Sequence, residues 1–287
     1  MAVTAQDEPG APRTPARWIE NHPRKGWRPR LDVRELWDFR DVCLILAERD
    51  MRVRYKQTLL GVTWVVLQPL LAMVVFTLVL GEAVGVPSDG VPYAAFVLAG
   101  LAVWSPLSSA ISESATSLVA APDLVTKVYF PRLLAPLGSV LGVLVDFAVA
   151  LVIAQLVALI AGVPLQPTLP LVLLLLPAFV LVALAFGFWL AAMSVLYRDV
   201  AHALGFALQL LLFLSPVVYP LGVLSSELQT IASLNPIVGL IDATRWAMLG
   251  TDLEVEHLVI SSVMTVVLIV SGVVYFRRVE PLFADRM

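Results

Sequence analysis

The sequence predicts an all-α integral membrane protein with six transmembrane helices, an N-terminal amphipathic interface helix, and short helices on the outer side between spans 5 and 6. Three observations carry this. Of 287 residues, 59% are hydrophobic and 14% charged, with a mean hydropathy of +0.88, whereas soluble domains carry roughly 25% charged residues. Six apolar runs are each near or above the ~20 residues that cross a ~30 Å hydrocarbon core as helix. Twelve of the nineteen Lys and Arg fall within residues 1–58, and such cationic flanks mark the cytoplasmic side of a membrane protein.

Residues 1–31 space Pro9, Pro12, Pro15, Pro23 and Pro29 too closely for a helix and read as a flexible cytoplasmic tail. No 7- to 15-residue apolar core of a secretory signal occurs in the first 58 residues, so the N-terminus is expected in the cytoplasm. Across 32–57, Leu36, Phe39, Cys43, Leu46 and Val53 recur at spacings of three, four and seven, the pattern of an amphipathic helix. It is read as lying on the inner membrane surface, with packing on a soluble partner as the alternative, since the apolar stripe alone does not distinguish lipid from protein. The six spans are expected at about 59–81, 93–119, 133–161, 170–196, 203–220 and 257–276. That count puts Lys127, Arg132, Arg198, Arg277, Arg278 and Arg286 inside with the N-terminal cations and leaves Arg245 alone outside. Both termini are then cytoplasmic.

Span 2 is the most polar. Ser105, Ser109, Ser112 and Thr116 recur at i, i+4, i+7 and i+11, which places four hydroxyls on one face. They serve either as interhelical contacts or as a wall compatible with a polyhydroxyl cargo. Pro106 is expected to bend this helix. Glu113 and, in span 3, Asp146 are ionisable groups at membrane depth and must face protein or water. The segment 122–131 begins and ends in proline-containing sequence and holds Asp123, Lys127, Tyr129 and Phe130, with Arg132 just beyond. It suits a protein groove or a lipid interface. After span 5, residues 221–255 are too broken to cross and too apolar for a free loop, and read as one or two short helices dipping into the outer leaflet or capping the outer mouth. Asn235-Pro236 has the form of an N-cap and first helical residue, and Arg245 with Trp246 is read as an interfacial anchor or the rim of an exit.

One cysteine, Cys43, and three histidines provide neither a disulfide nor metal-ligand spacing. No nucleophile has a visible base, so no catalytic residue is expected. No Gly-x-x-x-x-Gly-Lys-Ser/Thr phosphate loop occurs, and uphill transport would need energy from elsewhere. An ion-coupled secondary carrier remains an alternative and would rest on Glu113 and Asp146.

The chain resembles the permease subunits of type-2 ABC exporters for cell-surface polysaccharides such as O-antigen, teichoic acid and other lipid-linked glycans. The resemblance covers about residues 26–287. It is carried by Glu35-Leu36-Trp37, Arg49-Asp50, Arg54-Tyr55-Lys56-Gln57-Thr58-Leu59-Leu60-Gly61, Trp64 and Gln68-Pro69. Further carriers are Thr126-Lys127-Val128-Tyr129-Phe130-Pro131-Arg132, Tyr197-Arg198-Asp199-Val200, Leu234-Asn235-Pro236 and Glu280-Pro281-Leu282-Phe283-Ala284-Asp285. The resemblance implies a homodimer in the bacterial inner or plasma membrane with two copies of a separate ATPase subunit, which binds ATP and Mg; no cofactor on this chain and no nucleic-acid partner is expected. It makes the interface helix a gate with Arg49, Arg54, Tyr55, Lys56 and Gln57. Segment 122–131 becomes a coupling helix, with a second ATPase contact at Tyr197, Arg198 and Asp199. Asn235, Pro236 and Arg245 belong to outer gate helices at 225–250. Under this reading, Trp64, Tyr93, Trp104 and the Ser105, Ser109, Ser112, Thr116 face are expected to line a glycan channel. The ordinary role of Trp and Tyr near span ends, as a membrane-interface belt, stands beside that expectation. A sibling permease exporting a drug or lipid would share the same fold.

Overall fold

The computed structural model of the protein describes residues 33–55, 63–120 and 129–283. The expected tail at 1–31, together with Lys56, Gln57, Asp123 and Lys127, lies outside the described residues. Among those described there is no strand.

Two helices, α1 (Val33–Asp38) and α2 (Arg40–Tyr55), stand where one interface helix was expected. The edge of α2 formed by Cys43, Leu46 and Ala47 is buried against α5 (Leu134–Ile160). Glycines make this approach possible. A Cβ on Gly138 would lie 2.9 Å from Leu46 Cβ and 3.2 Å from the Cys43 carbonyl oxygen, and one on Gly142 would lie 3.2 Å from the Ala47 oxygen. Small residues at such seams let helix backbones pack closely in a membrane protein. Part of the stripe legible in the sequence therefore covers the protein's own third span.

Cys43 is 4% exposed, and burial pushes its thiol up to about 11. Gly138→Leu is expected to lift α2 from this seam. At pH 8, return to an ordinary pKa of about 8.5 would raise the thiolate fraction by roughly two orders of magnitude. Lower nucleophilicity of the less basic thiolate takes back about one. Maleimide should thus alkylate Cys43 about tenfold faster than in the parent, and an unchanged rate would mean that the glycine seam does not hold the helix.

Among the described residues, five segments are long and apolar enough to cross a membrane. They are α3 (Thr63–Val84, its second half wound as a π-helix from Thr77), α4 (Tyr93–Thr116), α5, α6 (Val172–Leu196, led by a 3₁₀ turn at Leu169–Leu171) and α10 (Val255–Val279). α4 occupies the centre, packed on α3, α5 and α6, and continues as helix through Pro106. Phe147 of α5 stacks on Phe179 of α6 at 4.3 Å, and Trp189 of α6 stacks on Tyr275 of α10 at 4.7 Å. α3 lies at the periphery, exposing Leu71, Val75 and Leu78.

The expected span at 203–220 takes a different form. Helix α7 covers Asp199–Leu214, and its 16 residues reach about 24 Å, short of a ~30 Å core. It stops because Pro216 disfavours helical backbone in the residue before it, and Ser215 is extended at φ −97°, ψ 145°. The non-helical stretch at 215–220 is nevertheless largely buried. Two short helices follow, α8 (Ser226–Ser233) and α9 (Pro236–Leu249). The Asn235 side chain caps α9 by accepting from the Ile237 amide at 3.1 Å, with Pro236 at the first helical position, where its missing N–H costs nothing.

Candidate functional site

Three polar arrangements stand out from the apolar bundle. The first joins α2 to the central helices. Arg54, in the last turn of α2, donates through one guanidinium nitrogen to Asp146 of α5 and through another to Glu113 of α4. Tyr55 donates its hydroxyl to the other Asp146 oxygen. Four residues earlier on the same helix, Asp50 accepts from Ser139 at 2.9 Å and pairs with Arg49 at 2.8 Å. The planar guanidinium suits this role because its fixed fork can hold two carboxylates at once. Burial opposes the charge on Arg54, but the carboxylates of Glu113 and Asp146 outweigh it and hold the pKa above the ordinary value. Burial and the bond to Asp146 push Tyr55 up to about 12, so its hydroxyl remains a donor. Glu113 and Asp146, singled out as intramembrane acids, thus share one cation from a helix outside the spans.

The second is an open cleft of about 380 Å³ between α4 and α7, lined by Trp104, Ser108, Ser109, Ser112, Glu113, Leu208, Gln209 and Leu212. Of the residues expected to line a channel, Trp104, Ser109 and Ser112 meet here. Ser105 offers its carbonyl to the Ser108 and Ser109 hydroxyls, and Thr116 donates back to the Ser112 carbonyl; neither side chain lines the cleft. Trp64 lies half exposed on α3. Tyr93 is spent elsewhere, its hydroxyl bonded to the Val218 carbonyl at 2.7 Å and its ring against Gly81. Ser108, three residues after Ser105 and four before Ser112, flanks the four-hydroxyl face and could have been found by the same spacing, whereas Gln209 sits in an apolar run with no periodic signal; neither was singled out in advance.

The third arrangement lies where α9 meets the start of α4. Arg245 is 2% exposed. It donates to the carbonyls of Pro216 and Val217, each at 2.7 Å, and to Phe96 at 3.4 Å, with its guanidinium carbon 3.5 Å from the Phe96 ring centroid. Its expected place as an interfacial anchor or exit rim is corrected: the cation is enclosed because the broken end of α7 turns unpaired carbonyls inward. Asn235 joins the same region through a 2.9 Å bond to the Ser215 hydroxyl.

The expected coupling residues divide. Tyr129 is 55% exposed and meets Phe39 edge-on at 6.2 Å. Phe130 is buried, so it does not project from the chain as a docking side chain would. Arg132 donates to the Glu280 carbonyl at 2.8 Å and lies over the Phe283 ring; it ties the loop before α5 to the segment after α10. Tyr197, Arg198 and Asp199 are exposed together between α6 and α7. No group of three or more His, Cys, Asp or Glu placed to hold a metal occurs among the described residues.

Residues 41–249 match the family model described as ABC-2 type transporter. The chain is similar to the O-antigen export system permease protein RfbA of Myxococcus xanthus, 32% identical over 72% of this chain and 80% of that protein. It is also similar to a Klebsiella pneumoniae protein of the same name, 26% identical over 85% of this chain and 94% of the relative.

Proposed function

Because the chain belongs to the ABC-2 type transporter family, we propose that it is the transmembrane permease of an ATP-driven exporter for a cell-surface polysaccharide of the O-antigen class. Relatives named as O-antigen export permeases, aligned over most of their length, support the substrate class. Within this chain the reading rests on the cleft: Ser108, Ser109, Ser112 and Gln209 offer hydrogen bonds that a sliding hydroxyl can exchange, and the largely buried Trp104 forms part of its wall.

In this reading both termini are cytoplasmic, the α2 end of the bundle faces the cytoplasm, and α8 and α9 close the outer end as gate helices. α7 together with the stretch at 215–220 makes the sixth crossing, since its far end reaches Arg245 and the start of α4. A separate subunit binds ATP and Mg and meets segment 122–131 and the Tyr197–Asp199 turn. A second copy of this chain completes the glycan path, and lipid covers the remaining apolar faces. Nucleotide-driven motion then biases two packings of the bundle, with α2 as the element pulled.

Replacing Ser109 and Ser112 together by leucine should fill the cleft. Export of surface glycan in cells is expected to fall to background while membrane insertion and the amount of folded protein stay at the parent level. Unaffected export would return these hydroxyls to a packing role.

A further inference from the structure

The two polar arrangements at the α2 end share one side chain. Glu113 lines the cleft and also accepts from Arg54, with 32% of its side chain open. Asp146, the other Arg54 partner, is 9% exposed, does not line the cleft, and takes a second donor from Tyr55. Glu113 is therefore the exposed half of the clamp and Asp146 the enclosed half.

On the reading of the cleft as a glycan path, we propose that Glu113 is a cargo sensor: a glycan in the cleft donates hydroxyl bonds to its carboxylate, weakens its hold on Arg54, and loosens the last turn of α2. A carboxylate concentrates hydrogen bonds from whatever donors are near, and hydroxyls entering from the cleft compete for the oxygens that Arg54 uses. Asp146 and Tyr55 keep the helix tethered, so cargo loosens a hinge without releasing it. Coupling of this kind is reciprocal: the docked turn must disfavour glycan by the same factor, commonly about 5- to 150-fold. Among the described residues, Glu113 is the one group common to the cleft and the α2 clamp. Its place on α4, one helix position from Ser112, sets cargo and clamp side by side.

The test uses the full-length chain in lipid nanodiscs, titrated with maltohexaose as a neutral polyhydroxyl probe. Binding is read by the emission of Trp104, with Trp104→Phe as the blank, and the hinge by amide hydrogen exchange of residues 48–55. The expected result is a Trp104 response accompanied by at least threefold faster exchange at 48–55. In Glu113→Gln that exchange should be fast without sugar and no longer respond. If that variant does not fold, Ser112→Leu, which closes the cleft beside the carboxylate without touching Arg54, must abolish the exchange response. A Trp104 response with unchanged exchange at 48–55 overturns the sensor and leaves the glycan path standing. No Trp104 response overturns the glycan path and the sensor with it.

Discussion

Arg54→Glu is expected to reduce glycan export at least tenfold in protein that inserts with the parent topology and folds normally. The substitution sets a third carboxylate against Glu113 and Asp146, which now have no guanidinium between them. Removing one partner of a fully buried pair costs about 3–5 kcal/mol; with Glu113 a third open, roughly half of that is expected here. About 2 kcal/mol corresponds to a roughly thirtyfold shift between docked and undocked last turn. The seam at Cys43, Leu46 and Ala47 is untouched, so Cys43 should stay as slow to alkylate as in the parent while residues 50–55 exchange faster. This pattern separates Arg54→Glu from Gly138→Leu, which lifts the middle of the helix. Arg54→Lys should fall between, because a single ammonium holds one carboxylate well and two poorly. Misinsertion without a hinge effect would confine Arg54 to a topogenic charge.

What the sequence showed and what it hid follow from distance along the chain. The start of α4 at Tyr93, the capped start of α9 at Asn235-Pro236 and the apolar edge of α2 rest on local periodicity and local hydrogen bonds, and all were legible. The clamp was half legible. Glu113 and Asp146 announced themselves as acids at membrane depth, but their cation lies 59 and 92 residues away. The same arginine reads as a topology signal and, by resemblance, as part of a gate helix, but neither reading names the two carboxylates it holds. The end of α7 could have been read from Ser215-Pro216, a residue pair that resists helix; the length of the apolar run outweighed it. Arg132 looked outward in sequence because the Phe283 segment that receives it arrives from the far end of the chain. For the clamp and for Arg132 the missing information was a long-range partner.

Arg245→Met is expected to remove most folded protein from the membrane, a larger effect than any substitution in the cleft. The arginine answers the problem that Pro216 creates. Carbonyls of Pro216 and Val217 lie beyond the last turn of α7, buried, where helical partners have ended, and no water in a bilayer core replaces such partners. Gly100 leaves the room: a Cβ there would sit 2.6 Å from the Val217 oxygen and 2.9 Å from the Arg245 Nη2. Methionine fills similar space but orphans two acceptors, the Pro216 and Val217 carbonyls, at about 1–3 kcal/mol each, against a typical net stability of about 5–15 kcal/mol. Fluorescence-detected size exclusion of a tagged variant should show the monodisperse peak reduced about tenfold. Arg245→Lys keeps a charge but neither the fork nor the flat stack on Phe96, and should recover part of it. A methionine variant as monodisperse and heat-resistant as the parent would mean the α7 end finds other donors. The intermediate lysine result would instead locate the demand in the carbonyls themselves, and so explain why a helix too short to cross alone is held against α4 and α9 at its broken end.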